Sequence, residues 1–211
     1  MSEYWTLALL WFTAFFTILN PIGTLPVFMT MTSEFSSKER KRTALKSVII
    51  AYLTLIAFAF LGEFLFKFFG ISVHSFRIVG GIIFFVVGYD MLQARLTKTK
   101  ISKAEIKAYS DDISVTPLAI PMIAGPGAIT NAIVFMNDAN TLGLKLLLIT
   151  VITATFLLVF LVFSSSSYIM KVLGETGNKV LMRLMGLIVM VIAVEFFFSG
   201  LKPILRDIFI K

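Results

Sequence analysis

The run LLLITVITATFLLVFLVFSSSSYIM, residues 146–170, holds 25 residues without a charge and is framed by Lys145 and Lys171. An α-helix rises about 1.5 Å per residue, so about 20 such residues cross the roughly 30 Å hydrocarbon core of a bilayer. A second uncharged block, SVIIAYLTLIAFAFLG, fills 47–62. The chain of 211 residues is 58% hydrophobic and 15% charged, whereas a soluble domain is nearer half apolar and a quarter charged. This composition specifies a polytopic helical membrane protein.

Outward from that run, six spans follow the hydropathy, at roughly 5–32, 47–69, 76–96, 115–136, 144–170 and 180–201. The first does not read as a signal peptide: only Glu3 precedes it where a basic segment belongs, and no small-residue cleavage site follows. The formal charge of +7 does not point to nucleic acid, because the bases sit in short loops between spans, where they orient helices. Thirteen of the 19 Lys and Arg fall on one face, in the 33–46 loop, the 95–107 connector and the 171–183 turn, against six on the other. The richer face is the cytoplasmic one. That places both termini outside, in a multi-pass protein of the cytoplasmic (inner) cell membrane.

The chain also repeats itself. FRIVGGIIFFVVGYD (76–90) aligns with MRLMGLIVMVIAVEF (182–196) at an offset of 106, pairing Arg77 with Arg183 and Gly80 with Gly186. KFFG (67–70) matches KVLG (171–174) at an offset of 104, and Asn20-Pro21 lies over Gly125-Pro126 at 105. The chain therefore divides into a first half, 1–96, a charged cytoplasmic connector, 97–114, and a second half, 115–211. Each half carries three spans. An odd number sends the second half into the membrane from the opposite side, as in the inverted repeats of secondary transporters. The expected fold is all-α, with six transmembrane helices in two inverted three-helix repeats.

The expected first and fourth helices are discontinuous. ILNPIGTLPVF (18–28) and IAGPGAITNAI (123–133) set Pro and Gly inside hydrophobic runs, where they cost a helix interior about 3 and 1 kcal/mol relative to Ala. Asn20 suits an N-cap and Pro21 the first helical position, where its missing N–H does no harm. Gly125-Pro126 repeats the arrangement. New half-helices would then begin with free amides at Ile22, Gly23 and Thr24, and at Gly127, Ala128 and Ile129, which attract anions. The preceding ends, near Phe16–Leu19 and Pro121–Ala124, offer carbonyls that attract cations. Pro26 and Pro121 remove further donors. Amides and carbonyls together suit a zwitterion, and the lack of a β-carbon at Gly23, Gly125 and Gly127 lets a small ligand lie against the backbone. The same pattern also accommodates two proline kinks in which Asn20 closes its own cap and no ligand binds.

LNPIGTLPVF (19–28) and PLAIPMIAGPGAIT (117–130), with six spans and this length, resemble the MarC family of bacterial and archaeal membrane proteins. The resemblance covers essentially the whole chain. It implies the family's small neutral amino acid transporter branch, carrying glycine and alanine with sodium or proton coupling. Carried onto this sequence, it implies a substrate site at Asn20, Pro21, Ile22 and Gly23, and at Ala124, Gly125, Pro126 and Gly127, which the free amides of Thr24 and Ala128 extend.

Thr17, Thr24, Thr130 and Asn131 lie within a turn of the breaks and could bind ligand or sodium, although membrane hydroxyls also back-bond their own helix. Glu63, Asp90 and Glu195 fall within or near spans, where acids mark ion or proton paths. Locally, Lys67 can pair with Glu63 at i,i+4, and Arg95 can neutralise Asp90. Ser164–Ser167 reads as a soft end to the fifth span or as tight packing against a neighbour, His74 as a solvated loop residue, and Gly80, Gly81 and Gly88 as packing points. With no Cys, disulfides and thiolate metal sites are excluded. Without a G-x-S-x-G elbow, an H-E-x-x-H pair or a P-loop, an enzyme is hard to assemble. The expected activity is alternating-access transport of glycine, alanine or serine with no cofactor beyond a coupling ion. A channel, or export of unrelated metabolites, is the other reading.

Overall fold

The computed structural model describes residues 2–93 and 106–209. Helices α1 (Ser2–Leu19), α2 (Pro21–Met31), α3 (Ser37–Phe69) and α4 (Val73–Leu92) make the first half. The second comprises α5 (Ile106–Ile113), an irregular segment (Ser114–Ile123), α6 (Pro126–Asp138), α7 (Leu142–Ser164) and α8 (Ser166–Phe209). Among the described residues there is no strand. Five helices are long and apolar enough to cross a membrane, six if the bent pair Ser110–Ile123 and Pro126–Asp138 is one span. The protein is an integral, multi-pass membrane protein. Arg95 and connector residues 97–105 lie outside the described residues, and with them the Asp90–Arg95 pairing.

Helix ends follow local chemistry. α3 starts ten residues before the hydrophobic block at 47 because Ser36 and Glu39 form a reciprocal capping box. Ser36 Oγ accepts the Glu39 N–H at 3.3 Å, and Glu39 Oε2 accepts the Ser36 N–H at 2.8 Å. Ser72 and Thr141 cap α4 and α7 one way only, accepting from the Ser75 and Leu144 N–H groups. At the far end, α3 stops at Gly70, φ 62°. α8 is interrupted at Gly174, φ 64° and ψ −176°. These are the two glycines of positive φ among the described residues, and they are also the pair aligned by KFFG and KVLG.

Several local expectations change. The Ser164–Ser167 run does end the fifth span, as the boundary between α7 and α8 with Ser165 capping α7, but two other residues differ. His74 is not a solvated loop residue. It stands in the first turn of α4 with Nδ1 buried and unpartnered. Arg40, in the basic loop by sequence, is buried in the first turns of α3. Its Nε and Nη2 donate to the Thr32 carbonyl at 3.3 and 2.8 Å, Nη2 also to Phe35 O at 3.4 Å, and Nη1 to Ser167 Oγ at 3.1 Å. The guanidinium thus closes the end of α2 and ties it to the start of α8.

α2 is the innermost element, with Pro21 and Gly23 through Met29 all buried. Phe28 stacks on Phe163 of α7 at 4.6 Å between ring centroids. On the outside, Phe68, Leu142 and Tyr168 are each more than 70% exposed, as lipid-facing positions are. α4 and α8 meet along glycines: a β-carbon on Gly81 would lie 2.7 Å from Ala193 O, on Gly88 2.9 Å from Gly186 O, and on Gly186 2.7 Å from Gly88 O. Gly200 sits the same way on His74 O. Residue numbers rise on one helix as they fall on the other, so the pair is antiparallel. In lipid, where apolar burial drives little association, such close approach supplies the van der Waals contact that holds helices together. Gly80, Gly81 and Gly88 are packing points.

Candidate functional site

α1 gives way to α2 at Asn20, φ 41° and ψ 59°, a left-handed conformation that Asn tolerates better than most residues. Asn20 Oδ1 accepts the Gly23 N–H at 3.1 Å, and the Asn20 carbonyl accepts the Thr24 N–H at 3.0 Å. Thr24 Oγ1 bonds back to Asn20 O at 3.2 Å and to Pro21 O at 3.3 Å. Of the amides expected free at Ile22, Gly23 and Thr24, the last two are therefore engaged. What the first break leaves open is the Ile22 amide and the carbonyls that end α1. Pro21 has no N–H to close onto Thr17, and the Gly23 amide that would close onto Leu19 has turned to Asn20. Nor does Gly23 leave its backbone bare, since the Asn20 amide fills the space of its missing side chain.

The second break differs. Thr116 (φ −129°, ψ 123°) and Ile120 (φ −132°, ψ 123°) are extended, as residues preceding proline tend to be, and the Thr116–Pro117 and Ile120–Pro121 peptides are cis. The expected helix before Gly125 is therefore replaced by the irregular Ser114–Ile123 segment. It closes with a bond from Ala124 N–H to Ala119 O at 2.8 Å. α6 then leaves at 60° to it, with Gly125 as cap and Pro126 first. Ile129, expected free, donates to Gly125 O at 3.0 Å. Gly127 and Ala128 keep unpaired amides among the described residues. The first break thus leaves carbonyls and the Ile22 amide open, and the second leaves the amides of Gly127 and Ala128.

A narrow cavity lies beside the first break and reaches the second-break region only at Met122. Ile18, Leu19, Asn20 and Thr24 form one wall, Phe84, Val87 and Met91 of α4 another, with Val189 and Ile192 of α8 and Met122 closing it. The space outside the atoms there is about 380 Å³, part of it open to the exterior, yet the centre of a water-sized sphere can sit in only about 20 Å³. That holds a single water. Phe84 also lies over Gly125, and Phe196 over Gly127, with 6.5 Å between the ring centroids. The backbone expected to face a ligand faces aromatic rings.

The remaining candidates scatter. Ala124, Pro126 and Ala128 are buried, Asn131 is half-buried, and Ile22 is 56% exposed. Thr130 is fully buried with its hydroxyl unpartnered. Thr17 and Glu195 are exposed, and Asp90 is half-buried. Glu63 pairs with Lys67 at 2.5 Å. None of these four coupling candidates lines the cavity. Phe84, Phe196, Met91 and Met122 were not legible as site residues. The signal that could have found the two rings is glycine at 125 and 127, which predicts close approach without saying by what.

A family model described as "MarC family integral membrane protein" matches residues 5–205. A UPF0056 membrane protein of Methanocaldococcus jannaschii is 41% identical over 202 residues, covering 95% of this chain and 97% of its own. The UPF0056 membrane proteins YvbG of Bacillus subtilis and YhcE of Escherichia coli are 39% and 34% identical, covering 90% and 92% of this chain and 92% and 91% of their own. No solved structure matches the chain.

Proposed function

As the chain belongs to the MarC family of integral membrane proteins, we propose that it is a secondary transporter of small neutral amino acids, glycine, alanine and serine, working by alternating access across the cytoplasmic membrane. The observation that carries this reading is a proline-opened helix break in each half, with a narrow cavity beside the first that reaches Met122 before the second. Carbonyls near Thr17–Leu19 suit an ammonium group, and the amides of Gly127 and Ala128 suit a carboxylate. A helix end contributes at most about 2 kcal/mol and a charge-assisted hydrogen bond roughly 1.5–3 kcal/mol, so a dehydrated zwitterion needs both breaks together. In this conformation the cavity is too narrow for one. Admission requires Phe84 and Phe196 to move.

Two features support inverted repeats with discontinuous helices. Packing pairs come in counterparts: α2 on α8 and α6 on α4, α1 on α7 and the Ser114–Ile123 segment on α3, α3 on α6 and α2 on α7. Exchanging the halves turns each pair into its mate, and Gly70 and Gly174 share positive φ at matched positions. Coupling is to sodium or protons, and both termini lie outside. Uptake of labelled glycine and alanine into proteoliposomes, under sodium and proton gradients imposed separately, tests substrate and coupling together. Uptake driven by one gradient is the expected result. A conductance without saturation, or movement of bulky solutes alone, would sink it.

A further inference from the structure

One stripe of α6, Pro126, Thr130, Ile133 and Asn137, runs from the second break to the end of the molecule away from the basic face. At that end a crevice of about 680 Å³ opens between α3, α4 and α6, lined by Glu63, Lys67, Ser72, Val73, Asn137 and Ile133. The Glu63–Lys67 pair stands at its wall, largely exposed; such a pair adds little to stability. Deeper in, Ile133 fills the space left by the missing side chain of Gly62. One turn deeper again, about 4.5 Å along the axis, lies Thr130. Helical threonines elsewhere, Thr24, Thr30, Thr54, Thr150, Thr153 and Thr155 among them, return their hydroxyls to the carbonyl four residues back. Thr130, wholly buried, has no partner. Below it Pro126 seats on Gly80, and Phe84, which lines the central cavity, seats on Gly125.

We propose that this crevice is the outer vestibule of the transport path, where the Glu63–Lys67 pair first holds a zwitterionic solute and withdrawal of Ile133 from Gly62 admits it to Thr130. The inference rests on the transport reading. Opposite charges side by side match the ammonium and carboxylate of an amino acid, and the open Thr130 hydroxyl offers the next polar contact.

The chain has no cysteine, so single cysteines report access directly. In proteoliposomes, a membrane-impermeant thiol reagent should modify Asn137→Cys rapidly and Thr130→Cys at least tenfold more slowly. Adding Ile133→Ala, or the milder Ile133→Val, should speed Thr130→Cys at least tenfold, and millimolar glycine should protect Asn137→Cys unless Lys67→Met is present. A Thr130→Cys rate indifferent to residue 133, or no labelling in any background, overturns the route. Labelling that obeys Ile133 without protection by glycine, alanine or serine overturns the zwitterion assignment. Absent uptake with the labelling pattern and protection intact counts against transport alone.

Discussion

The ring of Phe84 occupies the position a side chain on Gly125 would need, with Cζ and Cε1 both closer than 3 Å to that point. A helix of one half is thus keyed into the backbone break of the other. Gly125→Ala should cost about 1–3 kcal/mol by overpacking, read as a lower unfolding temperature in detergent. Because Pro121 O also crowds that point at 2.7 Å, adding Phe84→Leu should recover part of the loss. A double-mutant cycle with no coupling would remove the contact from consideration.

Asn20 serves two roles that substitutions separate. Losing the cap through Asn20→Ala should cost about 0.5–2 kcal/mol, whereas Asn20→Gly should cost only a few tenths and also relieve the left-handed backbone. If the Asn20 amide meets the substrate, Asn20→Gly keeps stability but raises the apparent KM for glycine. Equal uptake by wild type and Asn20→Gly would assign the residue to capping alone.

Gly70 and Gly174 share φ but not ψ. At ψ 27° Gly70 is ordinary left-handed helix, so Gly70→Asn should be tolerated. At ψ −176° Gly174 occupies a region open essentially to glycine, and Gly174→Asn should cost about 1–3 kcal/mol. Comparable melting temperatures for the two variants would contradict the turn.

Arg40 has no carboxylate within ion-pair distance among the described residues. It is held by carbonyls and Ser167 Oγ. A lysine cannot reproduce that fork. Arg40→Lys should therefore lose roughly 1–3 kcal/mol through unsatisfied carbonyls, and Ser167→Ala markedly less. Matching stabilities for Arg40→Lys and wild type would show that the fork is dispensable.

Positions governed by covalent geometry were readable from the chain: Pro21 and Pro126 open helices because proline lacks an N–H, and uncharged blocks such as 146–170 declare their medium. What failed to show was which group satisfies which orphan. That Asn20 would turn on Gly23 was open in the residues, since the amide serves equally as cap or ligand contact. The extended backbone at Thr116 and Ile120 was implicit in two prolines four apart, but the hydrophobicity around them imitates a helix. Phe84 and Phe196 are invisible in one dimension, because 22 phenylalanines give no hint which two face the breaks.

The glycine seam between α4 and residues 175–209 bears on how such a machine can move. Main chain closely approaches main chain there, with Met190 and Phe197 seated beside the glycines, and so close a fit leaves little room for slippage. A hinge separating residues 1–96 from 115–211 would tear that strut apart. Under the transport reading, the parts left to lever are α2 and α6, which begin at the breaks, against a post contributed jointly by both ends of the chain.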